Sequence, residues 1–452
     1  MNFEAGQQTG KPPGSASLSA RQAELIDAAH AQITEAGLRR RITEMAAIPS
    51  PTGAERAISE YLVAAMASAG LSATYQPIDP QQGNALGRLG GAGTGADLLL
   101  YAPIDTHIAG DEVEDCPWIG PVVRPDMRPQ PFDEGGFVVG LCAENPKGYA
   151  ACVLTAAEAI KRAGVALRGD LMIGFGAGGM PTNKRPVAGQ DRYNAGQGNG
   201  CSFMLEQGFR PDFAIIAKPG WAIAWEEVGL CWFKLTVHGK LNYTGQRHRL
   251  PHVNPIVEMT RLIEGLERWF PQYTAANTSG LVEPQGSIGA IEGGWPHKPA
   301  FVPAACNLYI DLRLSPRTEP AAARQQLLAA IGQIQRQNPG LEVDCEMILA
   351  VPGGSTSPDN WIIEASTLAW ESVTGTPHVP RTGTSGATDA NILRGRGIPT
   401  ARVGMPPPRQ KPPYENTFSM GVVEIAGMLA LTKLLVNVAI NTCTRDRAAL
   451  GL

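Results

Sequence analysis

Apolar residues recur at Leu25, Ile26, Ala29, Ile33 and Leu38, a spacing that predicts a helix over residues 19–46. The run Ile48-Pro49-Ser50-Pro51-Thr52-Gly53 breaks it. Thr52 and Glu55 are spaced as a capping box and predict a second helix through Ala69. Leu98-Leu99-Leu100-Tyr101 is a short apolar run before a polar stretch, as expected of a buried strand whose C-terminal end carries Asp105. An Ala-rich helix is predicted over 149–163, with short apolar strands at Asp170–Phe175 and Phe213–Ala217. This alternation is the pattern of a mostly parallel sheet covered on both faces.

The pattern changes near residue 228. Cys231 to Val237 alternates and ends at Gly239; a helix is expected from about Pro255 to Trp269, a strand over Asn307–Leu314 and a helix over Glu319–Gln337. From about residue 350 the α/β style returns, closing with an apolar helix over Met420–Ile440. We read a flexible tail over 1–18, an α/β domain formed by 19–227 and 346–452, and an α+β lid inserted over 228–345. No internal repeat is visible.

Composition narrows the class. The 452 residues suffice for two domains, and 43% apolar with 18% charged residues is ordinary for a globular protein. A net charge of −4 gives no electrostatic reason to expect nucleic acid or an anionic membrane. No apolar run is read as reaching the roughly 20 residues that span a bilayer. Residues 1–18 lack the apolar core of a secretory signal. The eight cysteines are scattered, without a CxxC pair, and several sit in apolar contexts such as Cys152 and Cys231. That argues against a disulfide framework and a cysteine zinc site, and the cytoplasm is the expected location.

Several ordered blocks carry a resemblance. They are Ile48-Pro49-Ser50 with Gly53 and Glu55; Ile104-Asp105-Thr106; Lys147-Gly148 before the Ala-rich helix; Val302-Pro303 with Asp311-Leu312-Arg313; and Thr388-Asp389-Ala390. In this order, around a lid of this size, the chain from about 40 to 440 resembles the di-zinc family of aminoacylase, acetylornithine deacetylase and succinyl-diaminopimelate desuccinylase. The resemblance implies a zinc-exopeptidase-like α/β fold, hydrolysis of an amide C–N bond and a homodimer formed through the lid.

The metal positions depart from that family. It needs a His, a bridging Asp, two further carboxylates, a last His and a Glu that acts as base. Here Pro103 stands for the first His, Asn145 for the bridging Asp and Lys218 for a carboxylate. Gly176-Ala177-Gly178-Gly179-Met180 replaces the paired glutamates. Lys411, four residues before Glu415, stands for the last His, and Tyr243, four after Gly239, for the lid His. An ammonium repels a dication and cannot ligate it. We therefore expect no zinc and no other cofactor, with Lys218 and Lys411 supplying positive charge at a developing oxyanion.

The remaining candidates come from chemistry. Asp105 corresponds to the residue that orients the lost His. Asp105 and His107 are two apart, so on a strand they would share a face, and the Asp would raise the basicity of the His. Cys142 near lysines would be a reactive thiolate, and Glu144 adjoins the old bridging position. Ser385 lies in a turn that faces the cleft in the family. Arg247, Arg249 and His252 correspond to a lid passage that contacts anionic substrate in the desuccinylases. Asp111 to Asp115 reads as a solvated acidic loop.

The leading reading is a metal-independent hydrolase acting on a small carboxylate-bearing amide. The alternatives are a pseudoenzyme that binds a ligand or partner, and a hydrolase with a relocated single metal on Asp105, His107 and Glu144.

Overall fold

The apolar run after residue 97 is the wholly buried strand Leu98–Pro103 in the computed structural model, which describes residues 16–116, 118–182, 196–415 and 420–452. Residues 1–15 of the expected tail lie outside that range. Leu98, Leu100 and Ala102 point into one apolar core, and Leu99 and Tyr101 into another. That alternation is what a strand buried on both faces requires.

The strand sits inside a six-stranded sheet ordered Ser72–Pro77, Gly83–Leu89, Leu171–Gly176, Leu98–Pro103, Phe213–Ala217, Thr400–Val403. The last four are mutually parallel, and the first two join antiparallel at one edge. The helices Lys147–Arg162 and Ile425–Cys443 pack on each other and on the sheet. Ile425–Cys443 is long and apolar enough to span a bilayer by composition, contrary to the expectation that no run is. Its most apolar stretch is 78% buried, so its side chains serve the core.

Contact density divides the chain into two units. The first comprises Met1–Trp225, Thr356–Pro380 and Thr388–Leu452; the second comprises Glu226–Ser355 with Arg381–Ala387. The expected boundaries at 227/228 and 345/346 therefore move. Glu226–Glu227 pairs with Gly354–Ser355, and Val343–Val351 pairs with Gly229–His238, so both segments belong to the second unit's ladders. That unit's antiparallel sheet runs Gly286–Gly293, Ala305–Leu314, Gly229–His238, Val343–Val351. Leu235, Leu308 and Leu312 fill its core beneath the helices Pro255–Asn277 and Pro320–Gln337.

Three local expectations are corrected. The helix expected over 19–46 is two, Ala20–His30 and Glu35–Ala46. Thr34 caps the second by accepting the Gly37 amide at 3.1 Å, which ends the first. The capping box at Thr52 and Glu55 does not form. The helix Arg56–Ser68 starts without a side-chain cap because both residues bond elsewhere. The acidic stretch is a single helical turn, Glu112–Asp115, and its last residue is buried. Asp115 accepts the amides of Ala109, Gly110 and Asp111 at 2.8–3.1 Å.

Candidate active site

Parallel strands deliver their C-terminal residues to one edge of the sheet, where α/β proteins build sites. Here Pro103, Gly176 and Ala217 end neighbouring strands, and Asp105, the Gly176–Met180 loop and Lys218 follow them.

The loop's backbone is gripped by side chains. Consecutive amides donate to Asn84 Oδ1 (Ala177, 2.9 Å), Glu55 Oε1 (Gly178, 2.8 Å), Asp105 Oδ1 (Gly179, 2.9 Å) and Asp105 Oδ2 (Met180, 2.8 Å). Such a run of inward amides resembles an anion-binding nest, filled here by side-chain oxygens of Asn84, Glu55 and Asp105. Glycine is required at Gly178, where φ is +63° and a Cβ would collide with Asn199 Oδ1. A Cβ at Gly176 would strike the Tyr101 hydroxyl, so position 176 has no room for a glutamate side chain.

Asp105 also accepts from Thr52 Oγ1 at 2.8 Å, so both its oxygens are engaged. The shared strand face expected for Asp105 and His107 does not arise, because the strand ends at Pro103 and the alternation of faces ends with it. Glu55 is buried, and burial followed by the nearby Asp105 charge pushes its carboxyl up to about 8. Tyr101 donates to Asp389 Oδ2 at 2.6 Å, and burial holds its phenol well above the usual range.

Lys218 and Asn145, which the sequence resemblance sets at two ligand positions, bond to each other, Nζ to Oδ1, at 2.8 Å. They are 7% and 5% exposed. Asn145 Nδ2 donates to Met420 Sδ at 3.0 Å. Lys147, fully buried, donates to the Ile48 carbonyl at 2.7 Å, and burial lowers its ammonium to about 8. Cys142, at φ +52°, places Sγ 3.7 Å from His107 Nδ1. Burial pushes this thiol up to about 12, although Lys147 and then Lys218 act to lower it. The expected reactive thiolate is therefore corrected: desolvation outweighs the lysines. Glu144 accepts from the Tyr149 hydroxyl at 3.3 Å. Lys411 and Glu415 are exposed in the loop after Thr400–Val403, so Lys218 is the lysine of the expected pair that is built into the buried cluster.

The other candidates lie on the second unit. Arg247 and His252, joined Nε to Nε2 at 3.3 Å, line a groove of about 360 Å³ with Thr244, Asn254, Trp295 and Phe301. Arg249 instead donates to His248 at 3.0 Å, and the exposed Tyr243 stacks on Phe301 at 5.4 Å. Ser385 accepts the Gln285 amide at 3.2 Å and belongs to this unit.

Sequence reasoning missed Glu55 and Tyr101 as members of the site. Glu55 showed cap spacing and a place in one resemblance block, and Tyr101 lay within an apolar run.

A mostly parallel sheet with an inserted antiparallel unit is a fold this chain shares with M20-family peptidases of known structure. Residues 226–339 match the peptidase dimerisation domain, starting where the second unit starts. Human carnosine dipeptidase 1 shares the fold at TM-score 0.69 and 15% identity, over 96% of this chain and 100% of that one. The Bacillus subtilis protein YxeP, a dinuclear metal-binding peptidase from the M20 family, shares it at TM-score 0.58 and 13% identity, over 93% of this chain and 100% of its own. In sequence, the N-formyl-4-amino-5-aminomethyl-2-methylpyrimidine deformylase of Bacillus subtilis (strain 168) is 24% identical over 272 residues, 57% of this chain. The match spans 58% of that relative's length. The resemblance drawn from the sequence blocks is thus confirmed as a fold.

The described residues do not fit a dinuclear centre. Among the described residues no three His, Cys, Asp or Glu side chains converge as metal ligands, including Asp105, His107 and Glu144. The Lys218 ammonium is bonded to the Asn145 amide, and N–H and O–H donors hold Asp105.

Proposed function

We propose that this chain is a hydrolase of the amide C–N bond of a small carboxylate-bearing substrate, with Lys218 supplying the positive charge that a metal supplies in dinuclear relatives. The observation that carries the reading is the buried Lys218–Asn145 bond at the C-terminal edge of the sheet. Asn145 Oδ1 fixes the ammonium, so its charge is preorganised and no solvent need reorganise when an oxyanion develops. In this reading water attacks the carbonyl carbon while His107 takes its proton, and the oxyanion faces Lys218. The C–N bond then breaks as the proton passes to the departing nitrogen, leaving a carboxylate and an amine. Separately from that site, the groove that Arg247 and His252 line within the second unit offers a carboxylate charge-assisted hydrogen bonds. The second unit also joins two chains as a homodimer, as its match to a dimerisation domain suggests.

A ligand-binding protein without turnover is a second reading. It is favoured by Asp105, whose oxygens are both occupied by the glycine loop and Thr52.

The test is metal content by mass spectrometry on protein purified without a metal-affinity tag, with turnover of N-formyl and N-acyl amino acids before and after chelation. Turnover that survives chelation is expected. Lys218→Met should lower kcat/KM by about 10²–10³-fold, the scale of a lost oxyanion donor. Activity that disappears on chelation and returns with Zn²⁺ would sink the metal-independent reading. No turnover by metal-free or zinc-loaded protein leaves the binding protein.

A further inference from the structure

We propose that the groove lined by Arg247, His252, Trp295 and Phe301 in the second unit binds a small aromatic carboxylate. The inference deepens the carboxylate reading of that groove and rests on it, and it draws on no residue of the first unit. Charge is segregated here. Residues 239–257 and 293–305, which build the groove, carry Lys240, Arg247, Arg249 and Lys298 and no acidic residue, although the whole chain has a net charge of −4. The acids that flank these segments are engaged: Glu258 pairs with Arg261 at 2.6 Å, and Glu292 accepts from the Tyr309 hydroxyl at 2.9 Å. Arg247 has no carboxylate partner among the described residues. Its Nε donates to His252 Nε2, which leaves both terminal nitrogens of the guanidinium for a planar acceptor with two oxygens.

The walls are aromatic. Trp295 is 66% exposed, Phe301 is half-exposed, and Tyr243 packs on Phe301 with ring centroids 5.4 Å apart. Trp295 and Phe301 also line an adjoining hollow of about 380 Å³ with Leu241 and Lys298, so the apolar surface continues past the groove itself. Large apolar rings left in water mark a surface that something covers, and rings beside a cation suit a ligand that carries both a ring and an anion. The groove, at about 360 Å³, lies at the small end of ligand pockets, which span roughly 300–1,000 Å³. It accommodates one ring against Trp295 or Phe301 with one carboxylate at Arg247. No acidic side chain lines either hollow to repel that anion. An aliphatic acid would gain the ion pair and lose the ring contacts, and a neutral aromatic would do the reverse.

The test needs no turnover. The full chain is titrated by calorimetry with sodium phenylacetate, phenylacetamide and sodium acetate, at ionic strength held constant with sodium chloride so that screening is unchanged. Saturable binding of phenylacetate is expected. Phenylacetamide, which lacks the charge, should bind at least about tenfold more weakly, the scale of a lost charge-assisted hydrogen bond. Acetate, which lacks the ring, should also be weaker by at least about tenfold, the scale of a phenyl group left unburied. Arg247→Met and Trp295→Leu should each weaken phenylacetate binding by about tenfold. Arg336→Met, an equal change of charge on the helix Pro320–Gln337, should bind as the wild type. Both groove side chains are exposed, so their variants should keep the wild-type thermal midpoint. Should either fail to fold, the comparison of the ligands on the wild type decides the matter by itself.

The proposal is overturned if phenylacetate does not saturate, if the amide or acetate binds as tightly, or if a folded Arg247→Met or Trp295→Leu chain binds like the wild type. Binding that weakens as protein concentration rises and the chain associates would make the groove an interface between copies, and would overturn it too. Turnover of N-acyl amino acids without phenylacetate binding would sink this inference and leave the hydrolase reading. Phenylacetate binding without turnover would do the reverse.

Discussion

Lys218 differs from a surface lysine in one respect, the loss of water around its charge. At 7% exposure its ammonium must be met by the protein, and Asn145 does so at 2.8 Å. Glu55 poses the opposite problem, a buried carboxyl beside Asp105. A free glutamate titrates near about 4.3, whereas burial and Asp105 push Glu55 up to about 8. Between those values the folded chain keeps a proton that the unfolded chain releases. The stability Glu55 contributes is therefore complete below the lower value and lost as pH rises through the higher one. Glu55→Gln keeps the acceptor oxygen and cannot ionise. It should melt close to the wild type at about pH 5 and higher than the wild type at about pH 9. Equal midpoints at both would show that Glu55 is not held neutral by folding. Gly178→Ala tests the loop that Glu55 grips. The left-handed φ and the collision with Asn199 should cost about 1–3 kcal/mol in the first unit, read by chemical denaturation.

At the scale of the element, the short acidic turn and the glycine loop obey the same rule. A buried carboxylate persists where backbone amides converge on it. Asp115→Ala would orphan the amides of Ala109, Gly110 and Asp111. A loss of about 1–3 kcal/mol is expected, with faster hydrogen exchange confined to residues 107–116. An unchanged exchange profile there would mean that the turn is held by other contacts. The failed capping box belongs to this scale too. Thr52 and Glu55 have the spacing of a cap, but Asp105 and the Gly178 amide compete for them, and these buried partners win over the helix end.

At the scale of the molecule, the second unit exposes an edge strand, Gly286–Gly293, with Ile291 54% exposed. Val257 and Ile256 on the helix Pro255–Asn277 are also exposed. An open edge and exposed apolar side chains favour pairing with another chain, consistent with a dimerisation domain over 226–339. Ile291→Lys is expected to shift the chain from dimer to monomer in light scattering while leaving its thermal midpoint within a few degrees at a fixed concentration. A wild-type monomer would refute the homodimer, and a dimer that survives the substitution would move the interface elsewhere.

The sequence alone determined the alternation of strand and helix and the inserted α+β lid. These depend on periodicity and residue identity, which are local. Lys218 and Asn145 were legible as substitutions, but their bond was not, because 73 residues separate them. Only the tertiary structure decided which candidates are desolvated and by what. It tied Asp105 to the glycine loop, raised Cys142 out of the reactive range, left Lys411 in solvent and drew Glu55 and Tyr101 into the site. Burial and partners reached across the sheet set these properties, and neither is carried by the residues nearest in the chain.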